Sequence, residues 1–238
     1  MNILVNGCSF SRGPNSWPYY TAEQLDADVV NLACAGAGNT YICQTTITEL
    51  AKRRYDLVLI MWSGLDRYDI AVNDIEQFNK TVCTSKYQSL QNDWPEKIVE
   101  PFNDQDLVEK NWVFGIGYLN GDQFLRQHPL FDSVYRLLDH EQNRVRSLIS
   151  MITLQNTLVK LEIPYVFSFY QNYLEDLSTE SELYSLLDQS KMCTVDNIFE
   201  ITKRNQWYDV DGCHPNSQAH KSWADILTNF INDNHSKL

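Results

Sequence analysis

Three polar residues close to the two ends of the chain could together form a nucleophilic site. Ser9 follows the apolar run Ile3–Val5, so it lies where a buried strand ends and where α/β proteins place their chemistry. Asp211 and His214 stand three positions apart near the other end. A serine nucleophile needs a base, and a carboxylate orients the histidine that serves as that base. These residue types predict that Ser9, His214 and Asp211 meet in one site; the alternative is that Ser9 is a simple turn residue.

The segment Asp211–Pro215 has the sequence of a tight turn before a helix. Gly212 allows the chain to turn sharply, and Pro215 biases the residue before it toward an extended backbone. Both features favour a carboxylate and an imidazole that face the same point, and both also suit an ordinary turn and helix entrance. We expect His220, farther along, to be a solvated helix residue.

Two loops that follow predicted strands supply further candidates. The small-residue stretch 33–39 contains Gly36, whose backbone N–H could approach an oxyanion because no Cβ blocks the way. A tight strand-to-helix turn is the alternative, and Gly36-x-Gly38 alone is a weak match to a dinucleotide fingerprint. Asp66 and Arg67 follow the most apolar strand, where charged side chains can line a site or simply lie on the surface.

The rest of the chain alternates short apolar runs with amphipathic segments, which is typical of a parallel, doubly wound sheet with right-handed crossovers. The run Asp56–Trp62 is short and almost wholly apolar, so we expect a central strand buried on both faces. Asn216 can cap the last helix. Strands are predicted at 3–5, 29–32, 56–62 and 165–169, and helices at about 16–25, about 43–54, about 133–161 and from 216 onward.

The alternation lapses between about 68 and 132, a stretch with several turn-forming Gly and Pro pairs. Long irregular stretches in compact domains often form lids or binding loops, and the many aromatic residues here argue against disorder. We therefore predict one domain over 1–238 with an ordered insertion at about 68–132. It is expected to consist mostly of loops and short helices and to cover the carboxyl edge of the sheet.

Composition narrows the classes of partner. The formal net charge is −12, and an acidic surface repels phosphate backbones, so we expect no nucleic-acid partner. No apolar run has membrane length, and no leader precedes the first strand, so we expect a cytoplasmic protein that does not bind membranes. The six cysteines are scattered and read as reduced thiols. A metal role for Cys213 and His214 is not expected, because no second Cys or His stands at ligand spacing.

Four stretches, in this order along the chain, resemble the SGNH hydrolases, the GDSL-type esterase and lipase superfamily. Gly7–Ser11 looks like the family's first block, which assigns the nucleophile to Ser9. Asn31–Gly36 looks like the second block, whose glycine donates a backbone N–H to the oxyanion. Asp211–Pro215 is similar to the last block, Asp-x-x-His. The resemblance is carried by the two ends of the chain and does not extend to the insertion.

The third block of that family is usually Gly-x-Asn-Asp, with the Asn amide in the oxyanion hole. Gly64–Arg67 is the nearest match here, so Asp66 stands where Asn is expected, and a one-residue shift would instead put Leu65 there; neither supplies an amide donor. An ionised carboxylate would repel an oxyanion, and only a protonated Asp66 could donate to it. Arg67 is the candidate to compensate for this change and to line the substrate pocket. Loss of one oxyanion donor typically lowers the rate about a hundred- to a thousandfold.

The resemblance implies a three-layer α/β/α sandwich with a parallel, flavodoxin-like sheet of about five strands, and neither metal nor cofactor. It favours a serine hydrolase that acts on a carboxylic ester, as an esterase or O-deacetylase of a small acyl ester or an acetylated sugar. Ser9 would attack the acyl carbonyl, His214 would take and return the proton, and Asp211 would orient the His214 ring. The N–H groups of Ser9 and Gly36 would bind the oxyanion. A non-catalytic binding module on the same scaffold, motivated by the altered third block, and an O-acyltransferase remain as alternatives.

Overall fold

The computed structural model describes residues 1–65, 67–72, 111–115 and 140–234. The strands are β1 Asn2–Asn6, β2 Asp28–Asn31, β3 Leu57–Trp62, β4 Tyr68–Val72, β5 Asn111–Gly115 and β6 Tyr165–Phe169. The α-helices are α1 Trp17–Gln24, α2 Asn39–Leu50, α3 His140–Lys160, α4 Leu174–Ser178, α5 Ser181–Tyr184, α6 Ile198–Asn205 and α7 Ser217–Asn234. From β1 to β3, and again from α3 to β6, strands and helices follow one another in the predicted order.

Four of these strands form a parallel sheet in the order β2-β1-β3-β6. Every residue of β3 is buried, because the strand lies in the middle of the sheet and helices cover both of its faces. All four strands run in the same direction, so their carboxyl ends share one edge. The apolar runs predicted as strands are confirmed, and the parallel arrangement is as expected.

The sheet has four strands in the described residues, whereas we predicted about five. Beyond β6, where a fifth strand would lie, the chain makes a single parallel bridge between Phe167 and Met192. The Cys193 N–H donates to the Phe167 carbonyl at 2.8 Å, and a 3₁₀ turn at Gln189–Lys191 directly precedes the bridge. Between this turn and α6, which begins at Ile198, the chain forms no strand, so the fifth strand is reduced to one bridge.

Helices cover the sheet as two pairs, which makes three layers. α1 packs against α7, and α2 packs against α3. β2 pairs with one side of β1 and β3 pairs with the other side. The two crossovers therefore run in opposite directions across the sheet, and if both are right-handed, α1 and α2 lie on opposite faces. Asn216 caps α7 as predicted, because its Oδ1 accepts from the N–H groups of Gln218 and Ala219. Among the described residues, no helix combines the length and the hydrophobicity needed to cross a bilayer.

The described part of the predicted insertion is a small antiparallel sheet, β4 paired with β5. This corrects the expectation of loops and short helices for 68–72 and 111–115, while residues 73–110 and 116–132 lie outside the described residues. Trp112 is buried, and its ring meets that of Tyr41 edge-on with 5.3 Å between centroids. The small sheet is therefore anchored on the first turn of α2.

Candidate active site

Ser9 begins a 3₁₀ turn, Ser9–Ser11, that follows β1 at the carboxyl edge of the sheet. The side chain of Asn6 holds the entrance to this turn: its Oδ1 accepts from the Gly7 N–H at 2.8 Å, and its Nδ2 donates to the carbonyl of Ile42 at 3.1 Å. A Cβ on Gly7 would overlap the Ser11 Oγ and lie 2.9 Å from the Ser11 Cβ. The glycine of the first block is therefore required by packing around the serine turn.

His214 and Asp211 lie on a loop between α6 and α7 that is stabilised by its own hydrogen bonds. The Asp209 N–H donates to the His214 carbonyl at 2.8 Å, and the Gly212 N–H donates to the Asp209 carbonyl at 2.9 Å. Gly212 has a φ of +70°, a left-handed conformation that favours glycine. A bridge between Tyr208 and Pro215 closes the base of the loop.

The loop brings the three predicted polar side chains together. His214 Nε2 lies 3.0 Å from the Ser9 Oγ, and His214 Nδ1 is hydrogen-bonded to the Asp211 Oδ2. When Nδ1 carries the proton of a neutral ring and donates it in a hydrogen bond to the carboxylate, Nε2 is unprotonated and can accept a hydrogen bond from the serine hydroxyl. The imidazole is 38% exposed and the carboxylate 43%, so both groups can be reached from solvent. This arrangement can move a proton from Ser9 to His214.

The carboxylate of Asp211 is stabilised in its ionised form. Partial burial works against ionisation, but the N–H groups of His214 and Cys213, each 2.9 Å from the Asp211 Oδ1, and the His214 ring outweigh it and hold the pKa of Asp211 well below its usual range. The side chain therefore stays negative over the whole neutral range. It can fix the tautomer of the ring and stabilise the imidazolium that proton transfer would create.

The loop that carries Gly36 lies beside the serine turn. Gly36 has a φ of +81°, and its turn is closed by the Ala37 N–H, which donates to the Cys34 carbonyl at 3.2 Å. The Cys34 N–H donates to the Gly7 carbonyl at 3.2 Å, which ties the two loops together. Within the described residues, the N–H groups of Ser9 and Gly36 donate to no protein acceptor. Both remain available to an oxyanion.

Arg67 lies at the border of the site. Its Nη1 donates to the Ala37 carbonyl at 3.1 Å, and its guanidinium carbon lies 5.8 Å from the centre of the Tyr170 ring. That ring packs on Phe10 at 4.7 Å between centroids, and Phe10 in turn packs on the His214 ring at 5.4 Å. The role of Arg67 in a substrate pocket stays a prediction, and Asp66 lies outside the described residues.

Two polar residues near the site were not predicted from the sequence. The Asp69 carboxylate accepts from the N–H groups of Gly38 and Tyr41, at the start of α2. The buried Asn39 holds both backbone polar atoms of Ser63 at the end of β3. Both contacts join segments that are distant in sequence, and the residue types alone carry no signal for them.

His220 is buried, which corrects our expectation of a solvated residue. Its Nδ1 accepts from the Trp17 N–H at 3.3 Å and so links α7 to the start of α1. Burial and the nearby His214 lower the pKa of His220 to about 4, and Asp209 opposes this only partly. The spacing of Ala219 and Trp223 places this face of the helix toward the core, which was the signal for burial.

A metal ion could in principle use the same loop. Ligand atoms of Asp211, Cys213 and His214 lie within 4.8 Å of one another, and the Cys213 Sγ is 3.3 Å from the His214 Nδ1. However, the carboxylate already binds that ring nitrogen. Burial and the negative charge of Asp211 also raise the pKa of Cys213, which disfavours the thiolate that binds metals. The hydrogen bonds within the loop account for this cluster without an ion.

Solved structures with a similar fold are esterases and related proteins. The crystal structure of TesA superposes with a TM-score of 0.56 and 11% identity over 98% of this chain and 99% of that chain. A mutant of Axe2, an acetyl-xylooligosaccharide esterase from Geobacillus Stearmophilus, gives a TM-score of 0.50 and 12% identity over 97% and 93%.

A third structure is the acetyl xylan esterase Est2A from the rumen bacterium Butyrivibrio proteoclasticus. It gives a TM-score of 0.50 and 11% identity over all of this chain and 65% of that chain. No family model matches the chain, and no curated protein matches it. At these identities the likeness concerns the fold, and it agrees with the fold that the sequence blocks predicted.

Proposed function

We propose that this chain, whose fold is similar to those of TesA and the esterase Axe2 and whose sequence blocks resemble the SGNH hydrolases, hydrolyses carboxylic esters with Ser9 as nucleophile. The observation that carries the proposal is the 3.0 Å separation of the Ser9 Oγ and the His214 Nε2, with Asp211 bound to the opposite ring nitrogen. These groups come from opposite ends of the chain. A non-catalytic binding module would have no need to keep a base against a serine hydroxyl and a carboxylate behind the base.

The reaction follows from the positions of the three groups. The Ser9 Oγ forms a bond to the acyl carbon while its proton passes to the His214 Nε2, and the carbonyl oxygen becomes an oxyanion. The ester C–O bond then breaks, and the alcohol leaves with the proton from Nε2. Water attacks the acyl-enzyme with the same proton transfers, so the acid is released and Ser9 regains its proton. Asp211 stays ionised throughout.

Two backbone donors, the N–H groups of Ser9 and Gly36, are proposed to stabilise the oxyanion. Gly36 suits this role because it has no Cβ to block the approach of an oxyanion, and its φ of +81° is one that other residues rarely adopt. The Asn that SGNH hydrolases usually supply is absent, since Asp66 stands in its place. We therefore expect a slower enzyme than one with three donors, by about a hundred- to a thousandfold.

The proposed substrate is a small acyl ester, and an acetylated sugar is the leading candidate. Two proteins of similar fold are acetyl xylan or acetyl-xylooligosaccharide esterases. The half-exposed His214 and Asp211 suit an alcohol group that remains largely in solvent while a short acyl group enters the site. Transfer of the acyl group to a second alcohol would use the same acyl-enzyme, and product analysis with added sugar acceptors would distinguish transfer from hydrolysis.

A fluorophosphonate probe tests the proposal directly. We expect a covalent adduct on Ser9 by peptide mass spectrometry, together with hydrolysis of p-nitrophenyl acetate and acetylated xylose. Ser9→Ala should abolish both, with an unchanged circular dichroism spectrum and melting temperature. A folded wild-type protein that neither takes the label nor hydrolyses any acetyl ester would overturn the proposal and favour a binding module.

A further inference from the structure

One peptide group in the Gly36 loop is held at both of its polar atoms by side chains from a distant segment. In the peptide group between Ala37 and Gly38, the carbonyl oxygen accepts from the Arg67 Nη1 at 3.1 Å. The N–H of the same group donates to the Asp69 Oδ1 at 2.8 Å. Opposite charges at the two ends of one amide dipole fix the plane of the amide, because rotation would break both contacts.

The fit between this peptide group and Asp69 requires glycine. A Cβ on Gly38 would lie 2.7 and 2.8 Å from the two Asp69 oxygens and 3.0 Å from the Arg67 Cβ. Gly38 is the N-cap of α2 and has no side chain with which to cap the helix. The second carboxylate oxygen of Asp69 accepts from the Tyr41 N–H at 2.9 Å instead. One carboxylate thus caps the helix and fixes the loop that enters it.

The same loop is tied down on its other side by the serine turn. The Cys34 N–H donates to the Gly7 carbonyl. The short stretch that contains Gly36 is therefore held at one end by this hydrogen bond and at the other end by Arg67 and Asp69. The Arg67 backbone is itself fixed, because the Arg146 Nη2 on α3 donates to the Arg67 carbonyl at 2.8 Å. Movement of either anchor would shift the direction of the Gly36 N–H.

We propose that Arg67 and Asp69 are positioning residues that hold the Gly36 N–H in the direction an oxyanion needs. The inference rests on the proposed esterase function of Ser9. In this proposal, the segment after β3 contributes to the site even though it supplies no oxyanion donor of its own. It contributes by holding the loop that contains Gly36. Neither side chain needs to touch the substrate.

Ionisation of Asp69 is part of this arrangement. Although the residue is only partly buried, burial of its carboxyl group raises the pKa of Asp69 to about 6; the N–H groups of Tyr41 and Gly38 and the charges of Arg146 and Arg67 limit the rise. Cys34 and Tyr41 also face the carboxyl group, and burial keeps both neutral by raising their pKa values. At pH 7 both oxygens accept; when the group is protonated, one becomes a donor that faces an N–H.

The test compares two carboxylate-to-amide substitutions. One is at Asp69, which contacts the start of α2, and the other is at Glu49, near the end of α2. Asp69→Asn replaces one acceptor by an NH₂ group, and we expect kcat on p-nitrophenyl acetate to fall about tenfold or more, because a shift of about 1 Å in an active site can cost about a hundredfold. KM should change less than about threefold, since the donor acts mainly in the transition state. Glu49→Gln is the control: Glu49 is buried, bound to Tyr55 and Arg53, and remote from the site. It should lower the melting temperature while leaving kcat unchanged.

A second measurement does not depend on activity. In ¹⁵N-labelled wild-type protein, the amide resonances of Gly36 and Gly38 should show a titration step near pH 6 that is missing in Asp69→Asn. If Asp69→Asn does not fold, Arg67→Met removes the guanidinium that binds the Ala37 carbonyl and keeps the Asp69 carboxylate; it should shift the Gly36 resonance and lower kcat in the same direction.

The outcomes separate the two proposals. If kcat in Asp69→Asn falls no more than in Glu49→Gln, or the Gly36 resonance is insensitive to Asp69, the positioning role is wrong. If the wild-type protein hydrolyses no ester and Ser9 takes no label, the esterase function is wrong. If the Gly36 resonance still titrates with Asp69 in that case, the contact between Asp69 and the Gly36 loop is nevertheless supported. A lower kcat with a displaced Gly36 resonance supports both.

Discussion

The two halves of the candidate site are built in different ways. The Ser9 turn is embedded: Cys8, Phe10 and Ser11 are buried, the Trp17 Nε1 donates to the Ser11 Oγ at 3.1 Å, and the Asn31 Nδ2 donates to the Ser11 carbonyl at 2.7 Å. The loop with Asp211 and His214 is exposed and is held mainly by hydrogen bonds among its own residues. The position of Ser9 thus depends on the core, whereas the positions of His214 and Asp211 depend on a few neighbouring residues.

This difference predicts how the two halves respond to substitution. Substitution of a buried residue in or next to the turn should lower stability together with activity, because the same contacts hold both; Ser9 itself is only partly buried. A change in the exposed loop should lower activity and leave stability nearly unaltered, because exposed side chains add little to the free energy of unfolding. Three measurements test this contrast.

The largest effect is expected for Asp211→Asn. An amide can hold the ring in the wrong tautomer, and comparable changes in serine hydrolases lower kcat about ten-thousandfold. The melting temperature should change by no more than about 2 °C, since the side chain is 43% exposed. Asp209→Asn is the matched control in the same loop and should keep full activity. A loss of stability as large as the loss of activity would contradict the contrast.

The next largest effect is expected on the free energy of unfolding at acidic pH, through the buried His220. Its folded pKa, about 4, lies below the unfolded value near 6.5, so the unfolded state binds a proton first as the pH falls. The stabilising contribution of the neutral ring is complete above pH 6.5 and is lost as the pH falls toward 4. The difference amounts to about 3 kcal/mol.

His220→Asn keeps an acceptor near Trp17 and removes this titration. Its free energy of unfolding should therefore decline less than that of the wild-type protein between pH 7 and pH 4 in urea titrations. Equal declines in the two proteins would show that His220 is not buried as a neutral ring. Asp69 titrates in both proteins, so its opposite contribution cancels in the comparison.

The smallest effect is expected for Gly7→Ala. The new Cβ would overlap the Ser11 Oγ and lie 3.1 Å from the Met61 carbonyl, and overpacking of this kind costs about 1–3 kcal/mol. Ser11→Ala removes the nearest atom, so adding Gly7→Ala in that background should cost less than it does in the wild-type protein. A double-mutant cycle from thermal unfolding measures the difference, and simple additivity would show that the two residues do not contact each other.

The sequence predicted the features that are local in the chain. The apolar run of β3, the Asn216 cap and the turn around Gly212 each follow from a few adjacent residues, and the structure contains them as predicted. The alternation of strands and helices fixed the direction of the strands, which in turn placed Ser9 at the carboxyl edge. Ser9, His214 and Asp211 are brought together because that edge is also where the loop before α7 lies.

Features that depend on contacts between distant residues were not predicted. Asp69 lies 31 residues from Gly38, and no local pattern marks it as the cap of α2. The β4–β5 pair joins segments separated by a long stretch, and its short strands carry no alternation strong enough to reveal them. The loss of the fifth strand was decided by a turn at Gln189–Lys191 that competes with sheet pairing.

The self-contained loop around His214 has a practical consequence. Val210 is fully exposed and free of the core, and its N–H donates to the Asp209 carboxylate at 2.8 Å. A fluorophore attached through a cysteine at residue 210 would ride on the same short turn as the imidazole. Its emission would report how that turn responds to an added acyl ester.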